Sequence, residues 1–384
     1  MLSKLPYEST AGAPRKIGPC HFGISRAFVT FMPKSHSSHL LRFENQLQRS
    51  LERLSVPGNG ILLAVSGGRD SMAMLHGIVP LGDVLRLSPI TVAHLNHGLR
   101  GDAGKSDAEL VQVTCKSLNV PVIISECDAG QLELASRGSM EEAARLARYK
   151  FLQSTAEEQG ISLIATAHYA ADQAETVLHN ILRGTGLRGL RGIPERRRLN
   201  ESVELIRPML HIADSVIEEF VQHHSIQFAT DASNVDTRFT RNRIRHSLLP
   251  QLQKDFNAQV PEALIGLAAQ THELLESLDM IAEAMLTEAV LEQTPEHCRL
   301  DVSQLRQHPE SIVRHALTLL WQQQNWPRRN MSRDHWSRLT AILFGASPTP
   351  SMDLPGGVRV ELRRNLLAFE YRGNPATYNS RDVE

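Results

Sequence analysis

The stretch that decides the fold covers residues 61–71 and reads Ile-Leu-Leu-Ala-Val-Ser-Gly-Gly-Arg-Asp-Ser. Its first five residues are apolar, which predicts a strand buried on both faces. The apolar-periodic run over residues 72–79 predicts a helix directly after the glycine turn. The glycines allow the backbone to come close to an anion, and the first helix amides have no partner within the helix. The stretch therefore predicts a phosphate-binding loop in an α/β domain.

The loop differs from two familiar phosphate-binding motifs. It lacks the lysine of G-x-x-x-x-G-K-[ST] and the third glycine of G-x-G-x-x-G. Its pattern, Ser-Gly-Gly-x-Asp-Ser, is that of the PP-loop (N-type) ATP pyrophosphatases, which cleave ATP between the α- and β-phosphates. The predicted ATP-binding residues are therefore Ser66, Gly67, Gly68, Arg69, Asp70 and Ser71. An ordinary strand–turn–helix corner is the alternative that the motif alone leaves open.

Composition, charge and cysteine content limit the classes of protein to which the chain can belong. The chain has 384 residues, of which 41% are hydrophobic and 22% charged, as in a globular protein of two domains. The formal net charge is −1, so any surface for nucleic acid must be local. The four cysteines are scattered without a C-x-x-C pair, which fits a reducing, cytoplasmic location. No run of 18 apolar residues occurs, and no membrane association is predicted.

Residues 1–40 form a basic extension with five Lys or Arg residues and one acid, Glu8. We predict that it is disordered. An organellar transit peptide and an overlong start codon are the alternatives.

Residues 41–255 alternate predicted strands and helices. The predicted strands are the apolar runs Ile61–Val65, Ile90–Leu95, Val120–Ile124 and Leu163–Ala165. This rhythm indicates a doubly wound parallel sheet, in which ligands bind beyond the carboxyl ends of the strands. The residues after the strands are therefore expected to meet in one site.

Acidic, basic and histidine side chains follow these strands. His168 comes directly after the fourth strand, and Asp172 and Glu175 share one face of the next helix. Glu141 and Arg145 share a face of the helix after the third strand, where a solvated salt-bridge ladder is the ordinary interpretation.

His94, Asn96 and His97 end the second strand. A hydrogen-bonding role toward nucleotide or substrate is favoured over metal binding, because no acidic or cysteine ligand stands at a suitable spacing.

Arginines are concentrated in two stretches of the sequence. Residues 183–198 contain six arginines and a single acid among glycines, which predicts a solvated loop or a basic segment that closes over a polyanion. Arg241, Arg243 and Arg245 do not form a clean helix face. They suit separate contacts to phosphates or to the protein's own acids.

Residues 256–384 predict a smaller, mostly helical domain that ends in a short strand pair over Val358–Leu362 and Leu366–Tyr371. One stripe of its first helix is predicted to pack against the rest of the domain. The stripe consists of Leu264, Leu267, Leu274, Leu278, Ile281 and Met285.

Taken together, the chain resembles the tRNA(Ile)-lysidine synthetase family within the PP-loop superfamily. The resemblance rests on ordered blocks at residues 66–71, 94–100, 142–149, 165–176, 182–190, 207–210, 231–234 and 241–245, with a later Leu-Pro-Gly-Gly at 354–357. The family's His-His-x-Asp-Asp-Gln stands here as His168-Tyr169-Ala170-Ala171-Asp172-Gln173, so Ala171 replaces one acid.

The resemblance implies two half-reactions. ATP adenylates the wobble cytidine of a CAU anticodon in tRNA(Ile), and the amine of free L-lysine then displaces AMP. Asp70 and Asp172 are the implied Mg²⁺ ligands. The implied catalytic or positioning residues are Asp70, Glu141, Arg145, His168, Asp172 and Glu175. The implied contacts to tRNA or phosphate are Arg183, Arg188, Arg241, Arg243 and Arg245, and residues 256–384 are the implied tRNA-binding domain. A homodimer is left open.

Other functions remain in competition. A tRNA thiolase would use paired cysteines, and relatives that synthesise GMP, NAD or argininosuccinate would not explain the arginine-rich stretches. An ATP- and tRNA-binding module without catalysis stays open because of Ala171. A metal-dependent hydrolase built on His94, His97 and His168 is the remaining alternative.

Overall fold

The computed structural model describes residues 40–56, 58–98, 101–127, 140–230, 240–328, 330–345 and 349–373. The predicted basic extension lies outside this range except for its last residue. Leu99, Arg100 and the block at residues 231–234 also lie outside the described residues.

Six strands form the first sheet, in the spatial order β3-β2-β1-β4-β6-β5. Their bounds are β1 Ile61–Ala64, β2 Ile90–Asn96, β3 Val122–Glu126, β4 Leu163–Ala165, β5 Arg196–Arg198 and β6 Glu204–Ile206. All neighbouring pairs are parallel except β5 with β6. The predicted doubly wound α/β fold is confirmed, with one antiparallel edge strand that was predicted as loop.

Helices cover both faces of this sheet, which buries β1 completely at Ile61, Leu62 and Leu63. The helices are α1 Leu40–Arg53, α2 Arg69–Leu85, α3 Asp102–Ser117, α4 Met140–Glu158, α5 Ala170–Leu182, α6 Leu187–Leu190 and α7 Asp214–His223. The chain order reverses between β1 and β4, so a crevice opens at the carboxyl ends of these two strands. The phosphate loop after β1 lies at this crevice.

A continuous helical segment then leads toward the C-terminal part. It consists of α8 Thr240–Arg243, a π-helical turn at Ile244–Leu248, and α9 Leu249–Asp255. The 30-residue helix α10, Val260–Ala289, packs against both α5 and a helix of the C-terminal part. It therefore joins the two parts of the chain.

The C-terminal part contains a five-stranded antiparallel sheet in the order β7-β8-β11-β10-β9. Its elements are β7 Val290–Gln293, β8 His297–Asp301, α11 Val302–Leu305, α12 Glu310–Gln323, α13 Arg333–Leu343, β9 Ser351–Leu354, β10 Val358–Arg363 and β11 Leu366–Tyr371. The predicted strand pair is thus the centre of a larger sheet. A separate hydrophobic core surrounds Trp321, while the predicted boundary at residue 255 stays a prediction.

The packing stripe predicted for α10 is only partly right: Met285 is buried, and Leu264 and Leu278 are half-buried. Leu267, Leu274 and Ile281 are exposed, at 38%, 48% and 47% of their surface. The buried face consists of Ala268, Thr271, Leu275, Ala282, Met285, Leu286 and Ala289. This face contacts α5 and α12, and it combines small residues with the larger Leu275, Met285 and Leu286.

Within the described residues, every helix is too short or too polar to cross a bilayer.

Candidate active site

The phosphate loop is held open by its two serines. Ser71 Oγ donates to the Gly68 carbonyl at 2.9 Å and accepts from the Ser66 amide at 3.2 Å. Gly67 has φ +88°, a conformation that a side chain would strain. Helix α2 begins directly after Gly68, and no side chain caps it. Its first amides therefore remain available to an anion.

Asp70 stands at the start of α2 beside Arg69, whose Nε donates to Asp70 Oδ1 at 2.8 Å. Arg69 also forms an ion pair with Asp214 at the start of α7. Burial raises the pKa of the Asp70 carboxyl above its ordinary value, and the charge of Asp172 acts in the same direction. The two carboxylates follow different strands, β1 and β4, at the crevice.

Asp172 and Glu175 form an acid pair on the first turns of α5. Asp172 accepts the Tyr169 amide at 3.0 Å and caps the helix, while Glu175 is only 1% exposed. Burial raises the pKa of Glu175, and the nearby charges of Arg245 and Arg241 oppose this shift. The predicted shared face of these two acids is present.

Arg241 and Arg245 neutralise the acid pair. Arg241 contacts Asp172 at 2.9 Å and Glu175 at 3.1 Å, and Arg245 Nε lies 3.4 Å from Glu175. The two arginines stand four residues apart on the helical segment and therefore share a face. Arg243 faces elsewhere, is exposed and donates to Thr240 Oγ1 at 3.1 Å.

Tyr169 connects the loop to the acid pair, a role that was not predicted from the sequence. The side chain is 1% exposed, and the Arg69 and Arg245 guanidinium carbons each lie 5.8 Å from its ring centroid. Its hydroxyl accepts a hydrogen bond from Arg245 Nη2. A cation on an aromatic face gains about 0.5–2 kcal/mol, depending on its desolvation. The ring thereby helps to fix the distance between Asp70 and Glu175.

His168 lies within a basic cluster at the end of β4. Its Nδ1 hydrogen-bonds with Thr166 Oγ1 at 3.0 Å. Burial lowers its pKa well below the ordinary value, and the charges of Arg207, Arg241, Arg148 and Arg145 lower it further. His168 is therefore neutral near pH 7 and can accept or donate a hydrogen bond without adding charge.

Arg207 is a second residue of the site for which no role was predicted from the sequence. It follows β6, is 3% exposed and donates to the Pro194 carbonyl at 2.6 Å. Its Nε has no hydrogen-bond partner among the described residues. An arginine directly after an apolar strand in a parallel sheet was the available signal, because that position is at the ligand-binding edge.

Histidines at the end of β2 complete the crevice. His94 Nδ1 is 2.9 Å from the Val65 carbonyl, which can only accept, so Nδ1 carries the proton. His94 Nε2 is then an acceptor, and it has no partner among the described residues. Burial lowers the pKa of His94 and His97, which favours the predicted hydrogen-bonding role. In the described ranges, no three His, Cys, Asp or Glu residues are grouped as metal ligands.

The other predicted residues are less central. Arg145 is exposed and lies over the Tyr149 ring at 5.6 Å, within electrostatic reach of His168. Glu141 belongs to α4, and its side chain lies outside the described atoms. Arg183 is exposed at the end of α5, about 16 Å along the helix from Asp172 by the ordinary rise per residue. Arg188 pairs with Asp279 of α10 at 3.2 Å.

We expect the free energy of unfolding to fall as the pH drops from about 7 to 5, with His168 contributing. The unfolded chain takes up this proton near pH 6.5, whereas the folded protein, with its lowered pKa, resists it. Acidification therefore favours unfolding. Urea denaturation should show a shallower pH dependence for His168→Asn, by at most about 1.4 kcal/mol per pH unit. An unchanged dependence would contradict a neutral, buried His168.

Comparison with known proteins gives consistent matches. The family model of the PP-loop domain matches residues 40–252. The tRNA(Ile)-lysidine synthase of Thermotoga sp. (strain RQ2) is 41% identical over 56% of this chain and 50% of its own length. The tRNA(Ile)-lysidine synthase of Chlorobaculum tepidum is 31% identical over 85% of this chain and 96% of its own length. The chain thus spans about half of the Thermotoga relative and nearly all of the Chlorobaculum one.

Among solved structures, the U34-tRNA thiolase NcsA from Methanococcus maripaludis, with its [4Fe-4S] cluster, has a similar fold. The TM-score is 0.51 at 15% identity, and the match covers 61% of this chain and 79% of the thiolase. At this identity the similarity concerns the fold alone.

Proposed function

Because the chain belongs to the tRNA(Ile)-lysidine synthase family of PP-loop proteins, we propose that it ligates L-lysine to the wobble cytidine of a CAU anticodon in tRNA(Ile). In the first half-reaction the cytidine carbonyl oxygen attacks the α-phosphate of ATP, and pyrophosphate leaves. In the second, the lysine amine forms a C–N bond at the same carbon, the bond to the adenylated oxygen breaks, and AMP leaves.

The observation that carries this proposal is the juxtaposition of the phosphate loop with a buried acid pair. Arg69 binds Asp70 and lies over the Tyr169 ring, and Arg245 contacts both this ring and Glu175, one turn along α5 from Asp172. Such a crevice offers amides for phosphates on one side and carboxylates for an ammonium on the other. Both substrates would be oriented toward one reacting centre, which is the main requirement of a reaction driven by ATP activation.

The acid pair is the proposed site for the lysine side chain. A carboxylate binds the incoming ammonium, and the amine must lose a proton before it attacks. In the structure, Arg241 and Arg245 supply the positive charge for Asp172 and Glu175. Lysine would therefore share the pair with these arginines or displace one of them. Arg241 and Arg245 would then turn toward the tRNA or ATP phosphates, which is the role proposed for them.

The described residues also fit a magnesium ion. Mg²⁺ is usually held by one or two carboxylates together with substrate phosphates, and Asp70 and Asp172 offer such a pair beside the loop. The ion would neutralise charge on the ATP phosphates. Its presence would also relieve the mutual repulsion that, with burial, raises the pKa of Asp70.

The other proposed roles belong to residues around this centre. His168, neutral among arginines, would hydrogen-bond to the cytidine or to the phosphates, and Arg145 would contribute positive charge beside it. Arg183 and Arg243, which are exposed, would contact tRNA phosphates, and Glu141 keeps a positioning role as a prediction. A cytoplasmic location and a homodimer also stay predictions.

The experiment that tests the function combines purified full-length protein with ATP, Mg²⁺, labelled lysine and a tRNA(Ile) transcript bearing CAU. We expect pyrophosphate release that depends on the transcript, together with label attached to the RNA. A transcript with GAU is the matched control, because it lacks the wobble cytidine and should give neither product. Tight binding of the CAU transcript without pyrophosphate release would contradict the proposal and favour a binding module.

The thiolase alternative is less well supported by the described cysteines. Burial raises the pKa of the Cys115 and Cys298 thiols to about 11, whereas sulfur transfer needs a thiolate near neutral pH. Cys127 is shifted in the same direction.

A further inference from the structure

Three arginines outside the crevice lie where the N-terminal and C-terminal parts of the chain meet. Arg188 and Arg191 belong to the predicted basic segment 183–198, and Arg328 follows α12. All three are partly exposed, and Arg188 and Arg328 each interact electrostatically with Arg191. Arg328 also acts on Arg188. We refer to these three residues as the arginine cluster.

The N-terminal side of the cluster is fixed along α5 by two amide side chains. Gln173 Nε2 donates to the Arg191 carbonyl at 3.1 Å, and Gln173 Oε1 accepts the Ile193 amide at 2.6 Å. Asn180 Nδ2 donates to the Gly189 carbonyl at 2.8 Å. The backbone that carries Arg188 and Arg191 is therefore attached to the helix that also carries the acid pair.

The C-terminal side is fixed by the tryptophan core. The Trp321 indole donates to the Pro327 carbonyl at 3.1 Å, directly before Arg328. The turn at 354–357 packs on the same proline: a Cβ on Gly356 would lie 2.8 Å from Pro327 Cβ, and Gly356 has φ +84°. The Leu-Pro-Gly-Gly block thus supports the backbone position from which Arg328 projects.

The cluster carries more positive than negative charge. Asp279 accepts from Arg188 at 3.2 Å, but it is also 2.7 Å from His315 Nε2. No carboxylate among the described residues forms an ion pair with Arg191 or Arg328. Burial and mutual repulsion lower the pKa of Arg188 and Arg328. Guanidinium groups with too few acids around them are suited to bind phosphate.

We propose that the arginine cluster binds backbone phosphates of the RNA substrate and so connects the C-terminal part of the protein to the active site. The identity of that RNA rests on the proposed function. The arginine cluster joins both parts of the chain, whereas the phosphate loop lies wholly in the first part. A ligand that contacts both parts must be extended, and this favours a polyanion over a single nucleotide. Because α5 carries the acid pair and its Gln173 also holds the Arg191 carbonyl, one extended strand can reach both.

The test uses Arg191→Gln, Arg328→Gln and the double variant in the full-length protein. The dissociation constant for the CAU transcript is measured by fluorescence anisotropy between about 50 and 200 mM salt. Each substitution is expected to weaken binding about three- to tenfold and to reduce the salt slope by about 0.7–0.9. Arg363→Gln is the matched control, because Arg363 is exposed on β10 and paired with Glu361 at 2.8 Å; it should leave both quantities unchanged.

Two further readouts decide the interpretation. The variants should unfold at the same or a higher temperature, because each removes like-charge repulsion, and they should keep the wild-type Michaelis constant for ATP. Unchanged RNA binding, a raised Michaelis constant for ATP, or a fall in unfolding temperature that accounts for the weaker binding would overturn the inference. If the wild type releases no pyrophosphate while the variants still lower the salt slope, the cluster inference stands and the proposed activity fails.

Discussion

Asp70→Asn is expected to reduce tRNA-dependent pyrophosphate release by about 10²- to 10³-fold, the usual effect of losing one group that stabilises transition-state charge. The substitution keeps the shape of the side chain but removes the negative charge. Asp70 is the carboxylate at the start of α2, beside the amides that are free to bind phosphate. The loss should therefore fall on the turnover of bound ATP, measured by pyrophosphate release at saturating ATP and transcript.

Asp214→Asn is the matched control for Asp70. Both carboxylates pair with Arg69, but Asp214 stands at the start of α7 and is 48% exposed. If Asp70 acted only by holding Arg69, the two variants would lose similar activity. We expect Asp214→Asn to stay within a few-fold of the wild type, since exposed ion pairs contribute about 0–1 kcal/mol. Activity above a tenth of wild type in Asp70→Asn would contradict a role at the reacting phosphates.

The sheet and its loop were predictable because their signals are local. Three buried apolar strands, a partly exposed fourth strand and one glycine turn are local patterns, and together they indicate a parallel sheet with its crevice. The edge strand β5 was missed because Arg196–Arg198 has no apolar pattern and pairs only with β6. Its backbone bonds to β6 and the ion pair between Arg196 and Glu204 of β6 hold it in the sheet.

Long-range pairing explains the parts of the site that were missed. Tyr169 acquires its role only when Arg69 and Arg245, which are far apart in sequence, reach its ring. The partners of Arg241 and Arg245 were left open between phosphates and the protein's own acids, and the structure pairs both with the acids on α5. Such pairings depend on how α8 and the π-helical turn pack on α5, which no spacing in the sequence encodes.

The replacement of the family's acid by Ala171 has a structural context. Ala171 packs against the hydrophobic core beneath the sheet, next to Asp172 at the start of α5. The acid pair formed by Asp172 and Glu175 is complete without it, and its charge is already balanced by two arginines. This arrangement favours an active enzyme over a binding module that has lost catalysis.

Glu175→Gln is expected to separate the two proposed half-reactions. Glutamine keeps the size of the side chain but cannot bind an ammonium as a carboxylate does. Lysine incorporation should fall by about 10²-fold, which corresponds to ~2.7 kcal/mol of lost interaction with a cation. Pyrophosphate release in the absence of lysine should stay within a few-fold of the wild type, because the phosphate loop is unchanged. Single-turnover assays with and without labelled lysine measure the two steps.

Stability must be measured alongside, because Glu175 is buried between two arginines. Removing one partner of a buried ion pair costs about 3–5 kcal/mol, but Arg241 and Arg245 are 42% and 39% exposed, so a loss of about 1–3 kcal/mol is expected. Glu204→Gln is the control, because Glu204 pairs with Arg196 at the surface of the same sheet and should lose less than about 1 kcal/mol. Equal losses in both half-reactions, in a folded Glu175→Gln protein, would assign Glu175 to structure. A loss confined to lysine transfer would instead identify the acid pair as the site where the amine binds.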